Sequence, residues 1–253
     1  MDLKIRDAFL QRWARHFPGA ELPIAFYYTD NPGAVEVAAK PEEHQCVIAP
    51  LGAVRRGRRR PAPHSLCFDV HAIGCPGGQR YFGFTKELFP GFEFFLSCGI
   101  PGKLEGERYK KTPEIVKELM AKAPTFDAPG KYIVFKRWDA LEAGDSPEAV
   151  IFYARPDVLS GLFTLAGFDE SDLYAVVTPF CAGCGSMVQY PYLEQHSRHP
   201  RAVLGMFDVS ARPWVQKDVL TFAVPMAKFE RMIADMDESF LITASWARVK
   251  ARL

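Results

Sequence analysis

The 253-residue chain sets 31 lysines and arginines against 30 aspartates and glutamates, and 48% of its residues are apolar or aromatic. Such a chain can bury a sizeable core, and its balanced charge gives no whole-molecule pull toward nucleic acid or an anionic membrane. The opening MDLKIRDAFLQRW lacks the parts of a secretory leader and no apolar run is long enough to cross a bilayer, so a soluble cytoplasmic protein without a membrane partner is expected.

Along the chain, Ile5, Phe9, Trp13 and Phe17 recur four apart, which predicts an amphipathic helix over residues 3–16 that stops near Pro18-Gly19. Pro23-Ile-Ala-Phe-Tyr-Tyr reads as a strand. The run from Arg55 to Arg60 is the one concentrated block of charge; with no aromatic residues interleaved, it reads as an exposed hairpin loop rather than a nucleic-acid site. Ile73 to Phe84, IGCPGGQRYFGF, sets a cysteine against a proline and two glycines. FEFFLSCG (Phe92 to Gly99) reads as a strand. Gly106 to Thr112 reads as a solvated loop leading to a helix cap at Thr112. Lys131 to Trp138 is a further strand, and Ala140 to Pro147 a turn-rich connection. In the second half Ala149-Val-Ile-Phe-Tyr-Ala is again strand-like, PFCAGCGSMVQYPY repeats the glycine-flanked cysteine, and helices are expected over 226–236 and 240–249.

The halves echo one another. Cys75 and Cys184, Phe92 and Ala202, and Thr112 and Val224 are separated by 109, 110 and 112 residues, whereas the first strands are offset by 126. We read an internal duplication, with pseudo-repeats of about 20–125 and 146–240 inside one intertwined α+β domain covering 1–253. Related halves that close on each other would bring Cys75 and Cys184 together.

Six cysteines in a reducing compartment are expected to be packed, redox-active or metal-bound rather than paired as disulfides. Glycine beside a cysteine leaves the sulfur approachable. Cys181 and Cys184 have Cys-x-x-Cys spacing, at which two thiols can grip one metal or exchange a disulfide. The following SMVQYPYL reads as extended, which argues against redox exchange, since no helix N-terminus would steady a thiolate. For a metal, Cys75, Cys181 and Cys184 need a fourth donor, with Cys67, Cys98 and His71 as candidates and Asp208 able to line the same cavity. An iron–sulfur cluster suits this open set better than zinc. Cys46, Cys67 and Cys98 sit in apolar, strand-like sequence and also fit simple burial. Arg212, beside Asp208, could clamp an anionic ligand with Gly77 and Gly78, or could serve a local turn. No Walker loop, dinucleotide fingerprint, H-E-x-x-H pair or nucleophile elbow is present.

From IAFYY through GCPGG, FLSCG, GERYKKTPE, AGCGS, DVSAR and LTFAVP, the chain resembles the DUF169 family of bacteria and archaea. The family pattern centres on one cysteine in each half, which fall here on Cys75 and Cys184. The resemblance implies a fold and these two residues and no reaction; Cys67, Cys98 and Cys181 are not carried over from it. Two functions are therefore expected. One is a metal–thiolate protein, with an iron–sulfur cluster ahead of zinc, serving electron transfer with a redox partner protein. The other is a module that binds a small anionic ligand while its cysteines merely pack.

Overall fold

In the computed structural model, residues 1–56 and 64–253 are described. The Arg55–Arg60 run therefore lies largely outside the described residues. In chain order the elements are α1 (Leu3–His16), β1 (Ile24–Thr29), α2 (Ile48–Arg56), β2 (Ser65–Phe68), α3 (Pro76–Tyr81), α4 (Phe92–Phe95), α5 (Pro113–Lys122), β3 (Tyr132–Arg137), β4 (Ala149–Ala154), α6 (Pro156–Ala166), β5 (Val176–Val177), a π-helical turn (Gly185–Gln189) running into α7 (Tyr190–Gln195), β6 (Ala202–Gly205), β7 (Leu220–Pro225), α8 (Met226–Asp235) and α9 (Ala244–Lys250). The fold is α+β, as the sequence predicts.

Among the described residues seven strands form one sheet in the order β2-β3-β1-β4-β7-β6-β5. Every pairing is antiparallel except β5 with β6. The central seam is short: β1 and β4 meet through only Ile24 with Ile151, Ala25 with Val150 and Phe26 with Ala149. Six residue pairs join β1 to β3 and six join β4 to β7.

Each face of this sheet carries its own core. Because alternate strand residues point to opposite faces, Ala149, Ile151 and Tyr153 of β4 enter one core while Val150, Phe152 and Ala154 enter the other. The second core holds Phe9, Trp13 and Phe17 of the opening stripe, packed against Phe229 and Met232 of α8 and Trp246 of α9. The first is closed by Ile48, Leu51 and Val54 of α2, Phe82 after α3, and Met187 and Val188 of the π turn. The cysteine-bearing turns lie in this first layer.

Several expectations are corrected. FEFFLSCG is not a strand: Phe92–Phe95 is one helical turn launched from Gly91, whose φ of 87° only glycine adopts readily. The segment after Cys184 is helical rather than extended: the π turn runs directly into α7, with Pro191 as the second residue of α7. The last expected helix is broken: a 3₁₀ turn covers Phe240–Ile242, and Thr243 then caps α9 by accepting from the Trp246 N–H. The duplication is not confirmed. Its first members, β1 and β4, are antiparallel neighbours, but the segment around 92–99 is helical where its counterpart, 202–209, contains β6.

Candidate functional site

Cys184 stands at the head of the π turn, and both its glycine neighbours are required by close packing. A β-carbon at position 183 would lie 2.8 Å from Ile48 Cδ1 of α2 and 3.0 Å from Ala211 Cβ; one at 185 would lie 2.8 Å from the Tyr81 ring of α3. Removing side chains at 183 and 185 therefore lets α2, α3 and the 206–211 turn close around one sulfur. The same approach brings in two more cysteines. Cys75 occupies the N-cap position of α3, and Cys46 precedes α2, where the Ile48 N–H hydrogen-bonds to its sulfur. π turns of this kind recur at functional sites.

The electrostatics report the same gathering. Burial pushes the Cys184 thiol well above the ordinary range, and the neighbouring Cys75, Cys46, Cys181 and Asp208 push it further. Cys181 is pushed up to about 12, first by burial and then by Asp208. Cys46 is raised by burial, partly offset by the Ile48 N–H, with Cys75 and Asp208 adding to the rise. The Tyr81 phenol is raised by burial and then by Cys184 and Cys181. Three other thiols and a carboxylate thus act on Cys184, and the chain contributing Cys46 and Cys75 is far in sequence from that contributing Cys181, Cys184 and Asp208.

Two chemical consequences follow. Thiols held above their ordinary pKa are protonated near neutrality and poor nucleophiles, so the Cys-x-x-Cys pair does not form an activated dithiol even though a helix follows it. The segment expected to be extended is helical, so what opposes thiol exchange at this pair is burial. Conversely, a bound cation would favour the thiolate forms of these crowded groups and would release their protons as it bound.

Asp208 ties the site together. Its Oδ2 accepts the Gly183 N–H at 3.0 Å, and its Oδ1 accepts the Ser210 N–H at 3.0 Å and the Ser210 hydroxyl at 2.8 Å. The turn begins at buried Met206, whose φ of 69° is a left-handed conformation that side chains rarely adopt; the Ser186 hydroxyl accepts its N–H. Tyr109 reaches the same corner: burial and then Glu107 raise its phenol, Ser210 partly offsets the rise, and Asp208 adds to it.

The remaining predicted residues are placed differently. Arg212 donates to the carbonyls of Val219, Gln216 and Lys217 at 2.5, 3.1 and 2.8 Å, so its fork is occupied in pinning a turn rather than held open for an anion. Gly77 and Gly78 lie within the six-residue α3; a β-carbon on Gly78 would lie 2.9 Å from Ile73 Cγ2, and one on Gly77 3.6 Å from Cys75 Sγ. Cys67 is buried on β2, paired in register with Val134, and its thiol faces the Val35 carbonyl. Cys98 is exposed beside Ser97 and Gly99, on the wall of a 480 Å³ surface groove formed by residues 98–108. His71 is exposed after β2. Neither Cys67 nor Cys98 acts on the Cys184 thiol, whereas Cys46, expected simply to be buried, does. Among the described residues no group of three or more His, Cys, Asp or Glu side chains is set to hold a metal ion.

An α+β protein with, among its described residues, a mixed seven-stranded sheet, carrying a half-buried set of thiols between turns from both halves of the chain, is the class these observations define. The chain belongs to the DUF169 family, described as uncharacterised ArCR, whose family model matches residues 20–235. No curated protein and no solved structure matches it. Among the described residues no helix is long and apolar enough to cross a membrane.

Proposed function

We propose that Cys46, Cys75, Cys181 and Cys184 ligate an iron–sulfur cluster and that the protein serves electron transfer. The observation that carries this reading is the convergence on the Cys184 thiol of Cys75, Cys46, Cys181 and Asp208, each of which raises it, beside the close packing of α2, α3 and the 206–211 turn at Gly183 and Gly185. Thiolates are the ligands such clusters take, and four of them make a full set. A single zinc ion is the lesser alternative: four sulfurs on one ion must close to about 3.8 Å of each other, from Zn–S bonds of about 2.3 Å in a tetrahedron. In a polynuclear core each thiolate meets its own iron, which tolerates wider spacing. The anionic-ligand reading loses its main donor, because Arg212 is committed to backbone carbonyls.

The test is anaerobic reconstitution with iron and sulfide, followed by metal analysis and electron paramagnetic resonance. A brown protein with stoichiometric iron and sulfide is expected, and Cys46→Ser, Cys75→Ser and Cys184→Ser should each lose most of the iron. Cys67→Ser and Cys98→Ser should keep it. A folded wild-type protein that stays colourless and iron-free after this treatment refutes the reading.

A further inference from the structure

The turns that carry Cys181 and Asp208 expose large apolar side chains. Phe180 is 53% exposed, Phe207 53%, Val209 68% and Trp214 48%. These four residues come from two segments that the Asp208–Gly183 bond clamps together: Phe180 precedes Cys181, Phe207 and Val209 flank Asp208, and the Trp214 N–H donates to the carbonyl of Ala211, which packs beneath Gly183. Large apolar side chains exposed on joined turns of this kind mark an interaction site.

A basic strap borders it. Residues 103–111 carry Lys103, Arg108, Lys110 and Lys111 against Glu105 and Glu107, four cations to two carboxylates in a chain whose overall charge is +1. The Lys110 ammonium lies 3.5 Å from the centre of the Phe180 ring, so the strap is fastened to the apolar patch itself. Its other side hangs on the α4 turn, where the Glu107, Arg108 and Lys110 N–H groups donate to the Phe95, Ser97 and Leu96 carbonyls. Among the described residues Lys103, Arg108 and Lys111 form no salt bridge. Arg108 holds a left-handed φ of 55°, a conformation kept only where surrounding contacts impose it.

We infer that this face docks a small acidic redox protein, which exchanges electrons with the thiol-held centre beneath. An apolar middle with a charged rim is the anatomy of a transient protein interface, and the excess of cations selects an acidic partner through steering. Glu105, Glu107 and Asp208 stand within or beside the patch and oppose a polyanion such as RNA. The inference rests on the cluster reading for what is exchanged, though not for what docks.

The test measures binding of the anaerobically loaded protein to two acidic probes, a plant-type [2Fe–2S] ferredoxin and a flavodoxin, between about 0.01 M and about 0.3 M ionic strength. At least one probe should bind with affinity that falls as salt rises. Lys103→Glu with Lys111→Glu should weaken it by about tenfold with the iron content unchanged. Trp214→Ala should weaken binding without altering the salt dependence. No binding to either probe, or equal binding by the charge-reversed protein, overturns the inference, as does tighter binding of a single-stranded oligonucleotide that depends on the same lysines. Iron-free Cys184→Ser protein separates the two proposals: if it keeps charge-dependent probe binding while the wild type takes up no iron, the docking face stands and the cluster falls.

Discussion

Replacing Asp208 separates a hydrogen-bonding role from an electrostatic one. In Asp208→Ala the Gly183 N–H loses its partner across 25 residues, while the two bonds to exposed Ser210 are readily replaced by water. One charge-assisted bond in a half-buried setting is worth about 1–2 kcal/mol. For a chain of this size that lowers the melting midpoint by about 2–8 °C. Asp208→Asn keeps an oxygen that can accept the Gly183 N–H, so most of the stability should remain, yet the negative charge that raises Cys46, Cys181 and Cys184 is gone. Their thiols should then ionise at lower pH. The assay is metal-free protein in a Cys98→Ser background, alkylated over a pH series, with the labelled Cys181 peptide quantified by mass spectrometry beside thermal melts. Alkylation of Cys181 should be faster at every pH in the asparagine variant. An alanine variant that melts with the wild type, or an asparagine variant whose Cys181 rate profile does not move, would refute the role assigned to this carboxylate.

Alkaline unfolding should expose the buried thiols directly. The folded chain keeps the Cys181 proton to about 12 whereas an unfolded cysteine gives it up near 9.0, so stability is complete below pH 9 and declines from there, by at most about 1.4 kcal/mol per pH unit for this group. Cys181→Ser should flatten the decline in urea-midpoint measurements. At the acid end, His16 and then Arg12 hold the Asp237 carboxyl below its usual range, so its stabilisation is present above about pH 4 and fades as pH falls further. The carboxylate is 38% exposed, which limits the effect to about 1 kcal/mol, and Asp237→Asn should erase that part of the acid dependence. Gly185→Ala drives a methyl into the Tyr81 ring at 2.8 Å and should cost about 1–3 kcal/mol in chemical denaturation, while Gly144→Ala, with nothing within 4 Å, should be neutral.

Much of the fold was legible where one face of an element meets water. The four-residue spacing of Ile5, Phe9, Trp13 and Phe17 fixes α1, because a half-exposed helix must segregate its apolar side chains. The same rule explains the failure at Gly185–Gln189, where all five residues are buried and no polar face remains to reveal the helical period. At FEFFLSCG a dense apolar run carries no period able to separate strand from helix, and the left-handed Gly91 decides the matter. At the candidate site, Cys75 and Cys184 were visible through their glycines, since close approach of several elements leaves no room for side chains. Cys46 had no such neighbour. Its place is set by where α2 lies against Gly183, a tertiary contact that no local pattern in HQCVIAP encodes.

The three-pair seam between β1 and β4 has a mechanical consequence. Cys46 and Cys75 hang from the wing of the sheet that begins with β1, whereas Cys181, Cys184 and Asp208 hang from the wing that begins with β4. Any species gripping sulfurs from both wings would act as a rivet across the narrowest ladder in the middle of the sheet, so occupancy of the site and resistance of the two wings to hinging apart would rise and fall as one quantity.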